Sequence, residues 1–375
     1  MVELTEKDIK KTILEIKNLH LLHKDQDAFL ILEDFVKALD LLNLESALGM
    51  EYKVIIAFIQ TTIPIHFFYL LAGDIFSNVG EYPKSLEAYK LYHFWAQQVK
   101  SHESLKNIDS AIVYSYRSCN EFFLEDLINK TITCSSPSVM NDPFDSIATF
   151  WSKKENLDRL SNLRKNSDSY AKSFNYYRIR SFVANQTTYK ADDRLLDNVK
   201  MWSHYADSHM GVCARYRLGK HFIKSERPYE VLEKECKYNV LRLHPMIYKP
   251  DFCLKDIKAI DTTELICRKH SLWSNENEVR LISYNPYSED KWLAEPLKDS
   301  TIEEIIFGYR CTEKHKMTIY NIAKDIYPDI QFSEMYIDEE KSLYKMIKKR
   351  YQPHTIGENL PQILEEGNII KHYNS

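Results

Sequence analysis

Glu276, Glu278 and Arg280 occupy alternate positions in WSNENEVRLISY, residues 273–284. Alternate side chains of an extended chain share a face, so all three should point the same way. Two carboxylates on one face repel, and one rises in pKa unless a cation or donor intervenes. Arg280 can supply that relief, which makes the row an ion-pair ladder. The same residues also fit the acidic pair of an active site, where a carboxylate stabilises developing positive charge.

Three further polar clusters precede it. In Tyr114-Ser115-Tyr116-Arg117-Ser118 the arginine ends an apolar run. A guanidinium is costly to bury alone, so Arg117 is either paired with an internal carboxylate or presented to an anion. Cys134-Ser135-Ser136-Pro137-Ser138 leads into Asn141-Asp142-Pro143-Phe144-Asp145. Asn-Asp-Pro signals a turn, and the hydroxyls before it can bond a sugar or orient a carboxylate. Met201-Trp202-Ser203-His204-Tyr205-Ala206-Asp207 gathers aromatics, a hydroxyl and an imidazole. The imidazole suits acid–base work and equally a structural hydrogen bond.

The elements that must position these residues change character along the chain. From about Leu4 to Ser101, apolar residues recur at helical spacing, as in Ile9, Ile13 and Ile16. Residues 1–108 therefore read as an all-α domain of helical hairpins. Within it, residues 68–96 resemble one tetratricopeptide unit, with Gly73 in the first helix, Gly80-Glu81-Tyr82 at the turn, and Ser85 and Tyr89 in the second. That resemblance implies a docking surface for a partner; a plain helical bundle accounts for the pattern as well.

After Ser110, strand-like runs appear at 111–118, 131–136, 179–186, 211–218, 278–284 and 303–310. The class is α+β, with a mixed domain over 109–340. Residues 152–175 read as a helix or insertion, and 341–375 as a helical tail ending in Lys348-Lys349-Arg350. The apolar segment 54–72 is interrupted by Gln60, Pro64 and His66, so a buried helix pair hinged near Pro64 is expected in place of a membrane span.

Composition narrows the function classes. A net charge of −4 gives no global argument for nucleic acid, and 8 glycines without G-x-x-x-x-G-K or G-x-G-x-x-G disfavour phosphate-loop and Rossmann sites. Seven scattered cysteines lack C-x-x-C, which excludes a recognisable zinc site and fits a reducing compartment. The charged start MVELTEKDIKK lacks a secretory apolar core, so a cytoplasmic protein, or one delivered into a target cell, is expected. Asp142, Asp145 and the two glutamates lack a recognisable metal-binding spacing, so no metal is assigned.

The ordered motifs YSYRS, SSPSxxNDPFD, MWSHYADxHxGV, WxxExExRLI and IIFGYR resemble a bacterial domain family of unknown function over about residues 112–325. A second resemblance, to Arg-Ser-Glu class ADP-ribosyltransferases, rests on the order Arg117, Ser135-Ser136, Glu276-Asn277-Glu278. It implies a split-sheet transferase fold and NAD as substrate. Arg117 would contact the pyrophosphate, and Ser135 and Ser136 would support the nicotinamide ribose. Glu278 would bond the ribose 2′-hydroxyl and stabilise the oxocarbenium-like transition state, while Glu276 engages the acceptor nucleophile. Tyr205 or Trp202 would stack on nicotinamide, with His204 beside them. The implied partner is a protein or nucleic-acid acceptor, and the implied role an effector, toxin or defence enzyme. A non-catalytic nucleotide- or protein-binding module is the alternative.

Ser-Ser-Pro-Ser departs from that class's Ser-Thr-Ser, and the Asn-Asp-Pro-Phe-Asp and Trp-Ser-His-Tyr motifs have no counterpart there.

Overall fold

A computed structural model describes residues 5–43, 53–100, 108–140, 142, 145, 167–223, 240–251 and 262–353. The chain opens with helices α1 (Glu6–Leu21), α2 (Asp25–Ala38), α3 (Lys53–Gln60), α4 (Ile65–Asn78) and α5 (Tyr82–Lys100). Next come β1 (Ala111–Arg117), α6 (Glu121–Asn129), β2 (Thr131–Ser135), α7 (Ser167–Ser173), β3 (Tyr177–Val183), α8 (Val199–Tyr205), β4 (Val212–Leu218) and α9 (Lys220–Ile223). Then follow β5 (Val240–Pro245), β6 (Ile247–Lys249), α10 (Thr262–Ile266), β7 (Arg268–His270), β8 (Glu278–Tyr284), β9 (Trp292–Pro296), β10 (Thr301–Phe307), α11 (Glu313–Ile326), β11 (Gln331–Asp338) and β12 (Ser342–Arg350). The protein is thus α+β, a helical region followed by mixed β structure.

Two compact units are present, and both are discontinuous in sequence. The first comprises Met1–Ala111, Ile132–Lys190 and Leu218–Ser300; the second, Ile112–Thr131, Ala191–Arg217 and Thr301–Ser375.

In the first unit, α1 begins at Thr5, whose hydroxyl accepts from Asp8 N while Asp8 returns a bond to Thr5 N, closing a capping box. Its spaced Ile9, Ile13 and Ile16 are fully buried. Pro64 separates α3 from α4, and the two helices diverge by 83°. Among the described residues no single helix is long and apolar enough to cross a membrane, although this bent pair passes that test together. The hinged pair expected at Pro64 is present, and α4 buries Ile65, Phe68, Tyr69, Ala72, Ile75 and Phe76.

Helices α4 and α5 form a tight hairpin. A Cβ on Gly73 would lie 2.5 Å from the Tyr89 ring, and Ser85 Oγ donates to the Gly73 carbonyl at 3.0 Å. Glycine at 73 is what lets the second helix approach. Deeper along α5, His93 is fully buried between Ser173 Oγ (2.6 Å) and the Tyr177 hydroxyl (3.2 Å). Desolvation lowers its pKa to about 3.

The strands of this unit include the antiparallel run β5–β8–β3, in which β3 also pairs β2 and β2 pairs β9; β6 and β7 form a separate parallel pair. Register sets Ser181 opposite Arg280 and Val183 opposite Glu278.

The second unit has the strand order β12–β11–β10–β4–β1. Pairing of β10 with β11 is parallel, which requires a crossover, and α11 supplies it. The helical tail expected over 341–375 is corrected in its first part, where β12 is a strand antiparallel to β11 from Ser333↔Arg350 to Asp338↔Ser342; residues 354–375 lie outside the described residues. Local helix-like periodicity in a short, charged segment yields to the hydrogen bonds an adjacent strand offers. The insertion read at 152–175 falls largely outside the described residues; its end forms α7.

Candidate functional site

The opening stretch folds in two pieces. Ser271–Glu276 is a 3-10 turn whose start is capped by His270, Nδ1 accepting from Leu272 N at 3.1 Å. Asn277 then takes a left-handed conformation (φ 48°) that redirects the chain into β8. Glu276 therefore lies off the strand, and the single strand face expected for Glu276, Glu278 and Arg280 holds only for the last two.

The two glutamates nevertheless converge, because the turn folds them back over Lys269 of β7. Lys269 Nζ stands 2.6 Å from Glu276 Oε2, 3.1 Å from Glu278 Oε2 and 3.4 Å from Asp145 Oδ2. Arg280 Nε donates to Glu278 Oε1 at 2.7 Å, one terminal nitrogen bonds Asp145 Oδ1, and the other donates to the Ile266 carbonyl at 2.7 Å. Ser181 Oγ adds a 2.6 Å bond to Glu278 Oε1, and Glu278 N donates to the Tyr248 hydroxyl at 3.0 Å. All five charged side chains are buried, Arg280 completely.

Burial alone would raise the Glu278 pKa. The charges of Arg280 and Lys269, with the hydrogen bonds from Arg280 and Ser181, outweigh it and hold the carboxyl at about 2. Burial also works against the Arg280 charge, but Asp145 and Glu278 push its pKa up. Among the described residues, three carboxylates meet two cations in this group. Trp273, 36% exposed, lies beside the group, with Lys269 Nζ 5.3 Å from its ring centre. Among the described residues, no three His, Cys, Asp or Glu side chains are disposed to hold a metal ion.

Ser135, which ends β2, and Ser136 after it belong to the same unit. Ser135 Oγ donates to the Ile179 carbonyl at 3.4 Å. Ser136 Oγ meets Ser138 Oγ at 2.9 Å and caps the short 3-10 turn Pro137–Val139, while its N–H donates to Lys291 O.

Arg117 lies in the second unit. Its Nη1 donates to Asp126 Oδ2 at 2.9 Å, and its guanidinium stands 5.9 Å from the Phe123 ring centre. The strand–turn–helix from β1 to α6, capped by Asn120, brings these partners together locally. Of the two fates open to this arginine, the internal carboxylate is the one observed.

His204 and Tyr205 end α8 in the same unit, His204 exposed and Tyr205 half-buried. Trp202 is fully buried and donates Nε1–H to Leu196 O at 2.8 Å, so its ring is packing and not a stacking platform. Just after α8, Asp207, Ser208 and His209 all adopt positive φ (48°, 54° and 69°). Such a run in residues with a Cβ stores backbone strain that surrounding contacts must offset. His209 N and Gly211 N donate back to Trp202 O and Ala206 O, and Arg310 N donates to His209 O. His209 Nε2 also meets Ser203 Oγ at 3.1 Å.

The sequence reading did not single out Lys269, Ser181, Trp273 or His209 as site residues. Lys269 stands between Arg268 and His270 in a short basic run, and its partners are fixed only by the turn that follows.

Residues 201–281 match a protein family described as "Protein of unknown function (DUF2971)". The matched span takes in both the Trp-Ser-His-Tyr turn and Glu276-Asn277-Glu278-Val279-Arg280; the YSYRS, SSPS and IIFGYR motifs lie outside it. No curated protein and no solved structure matches the chain.

Proposed function

We propose that the chain is an NAD-consuming enzyme, an ADP-ribosyltransferase or NAD glycohydrolase with a split-sheet transferase fold, acting as an effector, toxin or defence protein on a macromolecular acceptor. The observation that carries this reading is the gathering of Glu276 and Glu278 around one ammonium, with Arg280 on Glu278. Cleaving the N-glycosidic bond of NAD sends the bonding electrons to the nicotinamide nitrogen and leaves positive charge on the anomeric carbon. A fixed, ionised carboxylate in a low-dielectric site stabilises that charge more than it stabilises the ground state.

In this reading Glu278 faces the ribose, Glu276 orients the acceptor nucleophile, and exposed Trp273 offers a ring on which nicotinamide or adenine stacks. Ser135 and Ser136, in the same unit as the two glutamates, support the ribose. The helical hairpin α4–α5 supplies the acceptor-docking surface.

The test is nicotinamide release from NAD by the full-length protein. Wild type should release nicotinamide; Glu278→Gln should lose at least about 100-fold of that rate, the usual scale for one electrostatic contact to a transition state. Glu276→Gln should retain hydrolysis while losing transfer to the acceptor. Circular dichroism of each variant separates lost chemistry from lost fold. Undiminished turnover in folded Glu278→Gln would sink the assignment.

A second reading is a non-catalytic binding module. It is favoured by saturation: both Glu278 oxygens are already engaged, and Arg117 is paired with Asp126. NAD bound stoichiometrically without nicotinamide release would establish it over the first.

A further inference from the structure

In the second unit Cys119, two residues past β1, and Cys311, just after β10, lie 192 positions apart in sequence with their sulfurs 4.0 Å apart. Cys119 is half-buried and Cys311 only 7% exposed, so a small oxidant reaches the pair from the Cys119 side. Forming a disulfide, with its S–S bond of about 2 Å, needs the sulfurs to close by roughly another 2 Å, within reach of side-chain rotation and a small loop shift.

We propose that Cys119 and Cys311 form a redox-active dithiol that hydrogen peroxide converts to a disulfide, fastening the end of β1 to the loop after β10. The chemistry balances as follows. The Cys311 thiolate attacks one peroxide oxygen; an S–O bond forms, the O–O bond breaks, and hydroxide leaves and becomes water. The Cys119 sulfur then attacks the sulfenic sulfur of Cys311; the S–S bond forms, the S–O bond breaks, and a second water leaves with the Cys119 proton. The two sulfurs together lose two electrons, and the peroxide gains them.

The assignment of roles follows from the proton between them. Cys119 S–H donating to Cys311 lowers the Cys311 pKa against the opposing effect of burial, and the Lys316 charge adds to the lowering. The same bond, with burial, raises the Cys119 pKa, which suits a resolving thiol that stays protonated until its partner is oxidised.

Location gives the disulfide a target. Cys119 Sγ also lies 3.7 Å from the Met210 carbonyl oxygen, directly after the strained Asp207–His209 run. On the Cys311 side, Gly308 N donates to Gly211 O and Arg310 N to His209 O. Backbone contact here is close enough that a Cβ on Gly308 would fall 2.2 Å from His209 O, and one on Gly211 2.1 Å from Arg117 O. Oxidation would therefore cross-link the two segments that brace the left-handed run.

The experiment treats the folded full-length protein with stoichiometric hydrogen peroxide, blocks remaining thiols and maps disulfides by peptide mass spectrometry. The expected result is a Cys119–Cys311 peptide that dithiothreitol removes, absent from Cys119→Ser and Cys311→Ser, with Cys119→Ser instead trapping dimedone on Cys311. Wild-type mapping needs neither variant to fold. The proposal is overturned if folded wild type joins other cysteines instead, or if Cys119 is carried to sulfinic acid while Cys311 stays free.

Discussion

The two units each set an arginine against a buried aspartate, and the arrangements differ in how many charges take part. Arg117 and Asp126 form a one-to-one pair completed by Thr131, whose hydroxyl donates to Asp126 Oδ1 at 3.0 Å. Arg280 and Asp145 sit in a larger group with Lys269, Glu276 and Glu278, where carboxylates outnumber cations. A matched pair needs nothing more from its surroundings. In the larger group, stability depends on every member being present.

Acid should separate the units first, because two buried groups of the first unit titrate far from their ordinary values. His93 has a folded pKa of about 3 against 6.5, so the unfolded chain takes up the proton first; this contribution is complete above pH 6.5 and fades as pH falls toward 3. Glu278, at about 2 against 4.5, adds a contribution complete above pH 4.5 that fades as pH falls toward 2. Together they should cost on the order of 5 kcal/mol between pH 7 and 3, read as a falling urea midpoint. His93→Gln should flatten the upper part of that decline and Glu278→Gln the lower.

Removing one cation from the larger group is the next largest perturbation. Arg280→Met leaves Asp145 and Glu278 with Lys269 alone in a buried site and should cost about 3–5 kcal/mol by urea denaturation. Arg117→Met breaks the matched pair at a site that keeps some solvent, and about 2 kcal/mol is expected. If Arg117→Met proved the costlier, the contrast between the two sites would be reversed. The smallest effect belongs to Ser136→Ala, which removes a turn cap for about 0.5–1 kcal/mol and should leave thermal unfolding of the second unit unmoved.

Much of the architecture was legible because burial imposes a simple period. The isoleucine stripe of α1 and the strands around Arg117, Cys213 and Arg280 follow directly from it. Strands β5, β9, β11 and β12 were not legible: they are short or charged, and distant partners define them. The pairing of Glu278 with Arg280 could be read from alternation. The role of Lys269 could not, since it depends on a 3-10 turn and a left-handed Asn277 that reverse the chain. Asp145 was visible only as part of a turn motif, and its meeting with Arg280 spans 135 positions.

The basic cluster near the C-terminal end acquires a different meaning once β12 is a strand. Among the described residues β12 ends its strand order, so one of its long sides has no ladder partner there. Lys348 is tied to Asp193 and Glu304, but Lys345, Lys349 and Arg350 stand exposed along that strand. Like charges repel when two such edges approach, which guards against edge-to-edge aggregation. Replacing these three by threonine would preserve strand propensity while making the protein prone to self-association as its concentration rises.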